Sequence, residues 1–151
     1  MATAPREPLG RDLMVAPFLA ATSWDALDLT PTSSADLAAK VDLQVVAGAD
    51  ALRQALLLRL LTPLGSLADL GHAEYGSRLH ELVGTEFTEA ARLLARAFVL
   101  QAVRQERRVE RVLALSVQAQ EPSRPDSLRL DLLVKATGID DPVALGLEVA
   151  G

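Results

Sequence analysis

Four carboxylates, Asp69, Glu74, Glu81 and Glu86, fall in one stretch with His72, His80 and Tyr75, and paired carboxyl groups are the residues that hydrolyse glycosidic bonds. That chemistry needs two carboxyl groups about 5 to 10 Å apart beside a sugar-binding cleft. Such clefts are usually lined with aromatic rings, and this chain offers only Trp24, Tyr75 and three phenylalanines. Tyr75 is better explained as packing at a turn. His72 and His80 stand eight residues apart across a glycine-rich turn, with no third residue at a metal-ligand spacing, so surface histidines are expected. No serine lies in a Gly-x-Ser-x-Gly elbow, and Gly65, Gly71 and Gly76 do not form a phosphate loop behind a strand. The sequence implies no cofactor and no metal.

The second constellation is basic: Arg104, Arg107, Arg108 and Arg111, interrupted by Glu106 and Glu110. Arginines at a helix end complement the C-terminal dipole, which is the plain reading of the cluster. The net charge of −5 argues against a general nucleic-acid or anionic-membrane surface. No aromatic residue lies among the arginines to stack on bases. Glu106 and Arg108 stand where a helix should give way to a strand. Both can project toward a partner and form charge-assisted, bidentate hydrogen bonds there, or they can close an internal salt bridge that fixes the turn. The two roles can coexist.

Positioning these residues requires an irregular leader and one compact domain. Residues 1–39 hold half of the eight prolines and a Thr-Pro-Thr-Ser-Ser run, so an extended N-terminal extension is expected, with the domain over 40–151. Val41, Leu43 and Val45 alternate with polar residues as a half-buried strand closed by Gly48. Asp50 is placed to cap a helix reaching Leu61, apolar except at Arg53, Gln54 and Arg59, which Pro63 and Gly65 end. Ser77 should cap a short helix that buries Leu79, Leu82 and Val83 and stops at Gly84. A longer helix to Gln105 carries a stripe of Phe87, Ala91, Leu94, Phe98 and Ala102, with Arg92 and Arg96 opposite and Glu89 spaced to pair with Arg92. After it the period falls to two: Leu113, Leu115 and Val117 in one strand, Leu128, Leu130, Leu132 and Val134 in the next. Turns are expected over 121–126 and 138–142, and a last strand runs from Val143 to Val149. The expected fold is α+β, an antiparallel β-meander packed on about three helices.

Within this plan one series of motifs stands in order: Leu52-Arg53-Gln54-Ala55, then Leu61-Thr62-Pro63 and Gly65, then Glu74-Tyr75-Gly76-Ser77 and Leu79, and finally Glu106-Arg107-Arg108-Val109. The series resembles the baseplate wedge family of contractile phage tails, the protein W-type or lysozyme-like baseplate proteins. Related subunits occur in extracellular contractile injection particles and type VI secretion baseplates. The likeness spans roughly Asp42 to Val134, and Arg107 stands where the family carries proline. Gly10, Arg11 and the Pro17-Phe18 pair resemble the family's opening segment, which lies across neighbouring subunits; a tail with a few residues pinned to the core is the alternative.

The resemblance implies a structural protein, not an enzyme. Its partners would be baseplate wedge proteins, tail sheath subunits, and tube or hub proteins. Glu106, Arg107 and Arg108 would dock on the helical core bundle of the wedge. The terminal strand, with Val143, Leu145, Leu147 and Val149, would be extended by sheath arms through β-augmentation. That strand, with Glu148 as its one charge, could equally be an inner or covered one. A peptidoglycan-degrading, lysozyme-like hydrolase is the alternative function.

Composition bounds both readings. A chain of 151 residues is ordinarily one domain, and 50% hydrophobic content with 3% aromatics builds its core from Leu, Val and Ala. Without cysteine there is no disulfide, thiolate metal site or cysteine nucleophile, and a reducing compartment suits the chain. No apolar run approaches the ~20 residues that span a bilayer. Leu13 to Ala21 resembles a short signal-peptide core, but Pro17 interrupts it and no small-x-small cleavage site follows. The expectation is a cytoplasmic product, with no membrane insertion, that becomes part of an assembled particle.

Overall fold

The computed structural model describes residues 8–15, 43–86, 88–121 and 124–149. The fold is α+β; among the described residues it comprises a two-stranded antiparallel ribbon, two α-helices, two 3-10 turns and a three-stranded antiparallel meander. The ribbon pairs β1 (Arg11–Leu13) with β2 (Val45–Ala47), which leads directly into α1 (Gly48–Leu61). After the 3-10 turns Ala68–Leu70 and Leu79–Leu82 comes α2 (Glu89–Arg104). The meander follows as β3 (Val109–Glu121), β4 (Arg124–Ala136) and β5 (Val143–Val149), in the order β3-β4-β5.

The core gathers Leu52, Leu56, Leu57 and Leu60 of α1, Ala95, Val99 and Val103 of α2, and the inward rows of the sheet. Leu128, Leu130, Leu132 and Val134 are all buried, as their period of two requires. On β5 the buried set is Val143, Leu145 and Leu147, in register with Val134, Leu132 and Leu130. Cross-strand rows of branched aliphatic side chains of this kind are what hold a sheet to its helices.

Several expectations change phase or length. In β2 it is Val46 that is buried while Val45 is 48% exposed, because the ribbon pairs Leu13 with Val45 on its outer face; Val41 lies outside the described residues. The cap of α1 is the extended Ala47, and Asp50 instead sits in the first turn, bonded to Arg53 Nη1 at 2.5 Å. There it still complements the positive end of the helix dipole. The buried face of α2 centres on Ala95, Val99 and Ala102, leaving Leu94 48% exposed. Thr88 caps this helix by accepting from Ala91 N, and the Glu89–Arg92 pair forms. Leu113 turns outward because a bulge between Val112 and Ala114 resets the alternation of β3. Val83 is exposed, unlike Leu79 and Leu82. Where composition suggests a turn over 121–126, β3 reaches Glu121 and β4 starts at Arg124, its partner; residues 122–123 lie outside the described residues.

Part of the leader is built into the fold. Leu9 is wholly buried in the core, and Pro8 lies so close to the β4–β5 turn that a Cβ at Gly138 would meet its Cβ at 2.9 Å. Gly48 N donates to Gly10 O, continuing the ribbon. Residues 16–42, including Pro17 and Phe18, lie outside the described residues.

The segment after α1 folds back on the helix end. Ser77 N donates to Thr62 O and Leu64 N to Ser77 O, a parallel bridge between Pro63 and Ser77. Ser77 Oγ donates to Leu60 O at 2.6 Å, satisfying one of the carbonyls a helix end leaves open, and accepts from Leu79 N. Ser77 thus closes one helix and opens the next turn. Gly76, with φ +115, makes the approach possible: a Cβ there would lie 2.6 Å from Thr62 O and 2.9 Å from the Pro63 carbonyl. Gly65 bends the intervening loop at φ +82, where a Cβ would meet only Ala73 O, at 4.0 Å.

Gly76→Val should therefore lower stability by more than ~2 kcal/mol, a severe loss for one substitution. Gly71→Ala, where φ is +81 but nothing lies within 4 Å, should cost only about 1 kcal/mol. Thermal melts of the two variants check the contrast, and equal melting temperatures would contradict the close approach.

Candidate functional site

α1 is apolar on most of its surface, so its polar residues demand partners. Gln54 is fully buried, and its amide clamps the leader: Nε2 donates to Leu13 O at 2.7 Å and to Asp12 Oδ2 at 3.2 Å, while Oε1 accepts from Val15 N at 2.9 Å. A side chain expected on a polar face is instead the anchor of β1. The preceding residue, Arg53, donates from Nε to Ala144 O on β5 at 3.0 Å. In an antiparallel sheet the backbone groups of alternate residues point to opposite neighbours. With the Ala144 carbonyl on the outer side, Gly146 and Glu148 also present their backbone groups outward.

Arg59 lies farther along α1, its side chain only 12% exposed. Its guanidinium stacks 4.5 Å from the Tyr75 ring centre, Nη1 donates to Gln105 Oε1, and Nη2 lies 3.9 Å from Glu106 Oε2. Glu106 follows the end of α2 and is itself 9% exposed. Arg108 grips it from the other side: Nε donates to Oε1 at 2.8 Å, Nη2 to Oε2 at 3.1 Å, and the Arg108 backbone N to Oε1 at 3.2 Å. The remaining Nη1 donates to Leu9 O at 3.0 Å. One carboxylate thus joins α1, the α2–β3 junction and the leader.

Burial is the largest influence on the Glu106 carboxyl and pushes it up, but the side-chain and backbone hydrogen bonds of Arg108 and the charges of Arg108 and Arg59 together outweigh it. Its pKa is held below the ordinary 4.5. The same bond raises Arg108. Burial pushes the Tyr75 phenol up, the Arg59 charge pulls it back, and Glu106 adds to the rise.

The three residues expected to dock are therefore divided. Glu106 turns inward, Arg108 is mostly occupied by it, and Arg107 alone is exposed without a partner among the described residues. Arg107 lines a shallow groove with Arg59, His72, Glu74, Tyr75 and Gln105. Thr62, Pro63, Gly76 and Ser77 come together at the fold-back, with Tyr75 beside them. Val143, Leu145 and Leu147 face the core at 1%, 4% and 3% exposure, so it is the alternate residues of β5 that are accessible; Val149 pairs with Leu128.

The hydrolytic candidates are dispersed. Among the described residues Glu74 is the only carboxylate lining the groove beside Tyr75, Glu81 is paired with Arg78, and Asp69 and Glu86 are exposed on separate turns. His80 Nδ1 lies 3.2 Å from Ser77 O, whereas His72 lines the groove. Among the described residues no group of three or more His, Asp or Glu could hold a metal, and no helix is long and apolar enough to cross a membrane. Sequence reasoning missed Arg59 and Leu9 as parts of the Glu106 cluster. Arg59 carried a signal, since a charge amid leucines on a core helix requires a counter-charge.

Because its folded pKa is lowered, Glu106 contributes stability that is complete above 4.5 and lost as the pH falls through the folded value. Glu106→Gln should cost about 2–3 kcal/mol near neutrality, toward the low end for a buried pair because Arg108 reaches water. It should also flatten the decline in stability below pH 4.5. Urea denaturation across that range tests both, and a variant with the wild-type acid profile would remove Glu106 as the titrating group.

No protein-family model matches this chain, and no curated protein matches it.

Proposed function

We propose that this chain is a structural baseplate subunit of a contractile tail or injection machine, acting through protein contacts and not through catalysis. The observation that carries the reading is β5: among the described residues it is an outer strand of the sheet, strand alternation from Ala144 turns its backbone groups at Gly146 and Glu148 outward, and its only charge is Glu148. An edge with so little guarding it suits addition of a strand from another chain. In this reading the arms of tail sheath subunits extend β5 and the first sheath ring starts there.

Support comes also from the motif series, whose middle blocks meet at the Pro63–Ser77 bridge. The wedge-docking role falls to Arg107, exposed beside the groove at Tyr75, while Glu106 and Arg108 hold the turn that presents it. The protein would be made in the cytoplasm and carried in the assembled particle, with tube or hub proteins as further neighbours.

Arg107→Glu should keep the wild-type melting temperature and weaken retention by co-expressed wedge proteins about tenfold. Retention at wild-type yield would reject Arg107 as the docking residue. Strand addition has its own test in Glu148→Pro, which removes an outward N–H while sparing the ladder to β4. Baseplates carrying it should assemble but fail to start sheath; full-length sheaths in electron micrographs would reject templating by β5. Pro at Leu145 or Leu147 is a poorer test, because their backbone groups serve the pairing with β4.

A further inference from the structure

The structure assigns a second contact surface, on the opposite edge of the sheet: we infer that the groove between α2 and β3 takes an acidic peptide segment of a partner protein. This inference is independent of the baseplate reading and of β5. Six arginines of the described residues are paired with carboxylates: Arg53, Arg59, Arg78, Arg92, Arg108 and Arg129. Arg104 and Arg111 have neither a hydrogen bond nor an ion pair from their side chains among the described residues, and both line this groove. Its volume is about 450 Å³, and Arg96 is the third arginine along it. Glu110 is its only carboxylate among the described residues.

A chain with net charge −5 thus concentrates three positive charges against one negative charge in a single cleft. Two unpaired guanidiniums flanking a concave surface favour carboxylates, which they bind bidentately. The floor is apolar, with Leu100 and Val103 of α2 facing Val109 and Leu115 of β3, and Leu113 stands at the rim 42% exposed. An occupant therefore needs apolar side chains between its acids. It would lie in the groove without joining the sheet, because Arg96 Nη1 already donates to the Leu115 carbonyl at 2.6 Å and blocks a ladder there. A polynucleotide fits less well: the lining offers no aromatic ring for a base.

The test uses the full chain and a fluorescein-labelled peptide of alternating Glu and Leu, with a Lys and Leu peptide and an oligothymidylate as comparisons, read by fluorescence anisotropy. The Glu and Leu peptide should bind saturably and more tightly than either comparison, and the affinity should fall as salt rises. The double variant Arg104→Gln, Arg111→Gln should bind it at least about tenfold more weakly while remaining folded by circular dichroism. Arg107→Glu, on the other groove, should bind as wild type does. Absence of saturable binding at low salt, equal binding by the double variant, or tighter binding of the oligothymidylate would overturn the inference. So would sedimentation showing that the groove is occupied by a second copy of the chain, through self-association abolished by the double variant.

Discussion

A buried carboxylate must be compensated, and the way Glu106 is compensated organises this molecule. Arg59 reaches it from α1, Arg108 from the beginning of the sheet, and Arg108 then passes the connection to the carbonyl of Leu9. Helix, sheet and leader therefore meet at one charge that none of them satisfies alone. Transfer of an unpaired carboxylate out of water is costly enough that its neutralisation fixes the relative placement of all three. The Tyr75 ring on Arg59 brings the fold-back after α1 to the same place.

The surface roles proposed for the protein depend on this arrangement, and the groove beside Arg107 shares Arg59 and Tyr75 with it. Arg107 lies between Glu106 and Arg108 in sequence, so the pair that turns inward also turns Arg107 outward. The two outer strands differ in character for a similar reason. Arg53 guards only the start of β5, at Ala144, whereas β3 carries bulges and has Arg96 on the carbonyl of Leu115. Irregular and capped on one side, more open on the other, the sheet offers its two edges to different kinds of contact.

The meander was legible because alternation survives where one face of a strand meets the core: every inward residue expected from Leu128 to Val134 is buried. Legibility failed where a neighbour and not the local pattern sets the phase. Leu113 is displaced by a bulge, Leu94 because α2 turns Ala95, Val99 and Ala102 to the core, and Val45 by its pairing with Leu13. At the site, Gly76 and Ser77 could be read from the turn chemistry they imply. Gln54 and Arg59 could be seen as polar residues on an apolar helix, but their partners lie in the leader and beyond α2, at separations that no local spacing records. The inward turn of Glu106 was one of two open alternatives, decided by a guanidinium from a distant helix.

The leader's place in the fold sets an order of events during synthesis. Leu9 is made before its partners: the guanidinium that holds its carbonyl comes 99 residues later, and the Gly138 turn against Pro8 later still. Until α2 and the first two strands of the meander have left the ribosome, Leu9 has no core to enter, and the N-terminal segment must wait while the rest of its binding site is translated. Closing so long a loop is slow relative to forming the helices and hairpins. Leu9 therefore lacks its packing partners until residues about a hundred positions later have been made, and its docking follows the folding of the α2–β3 junction.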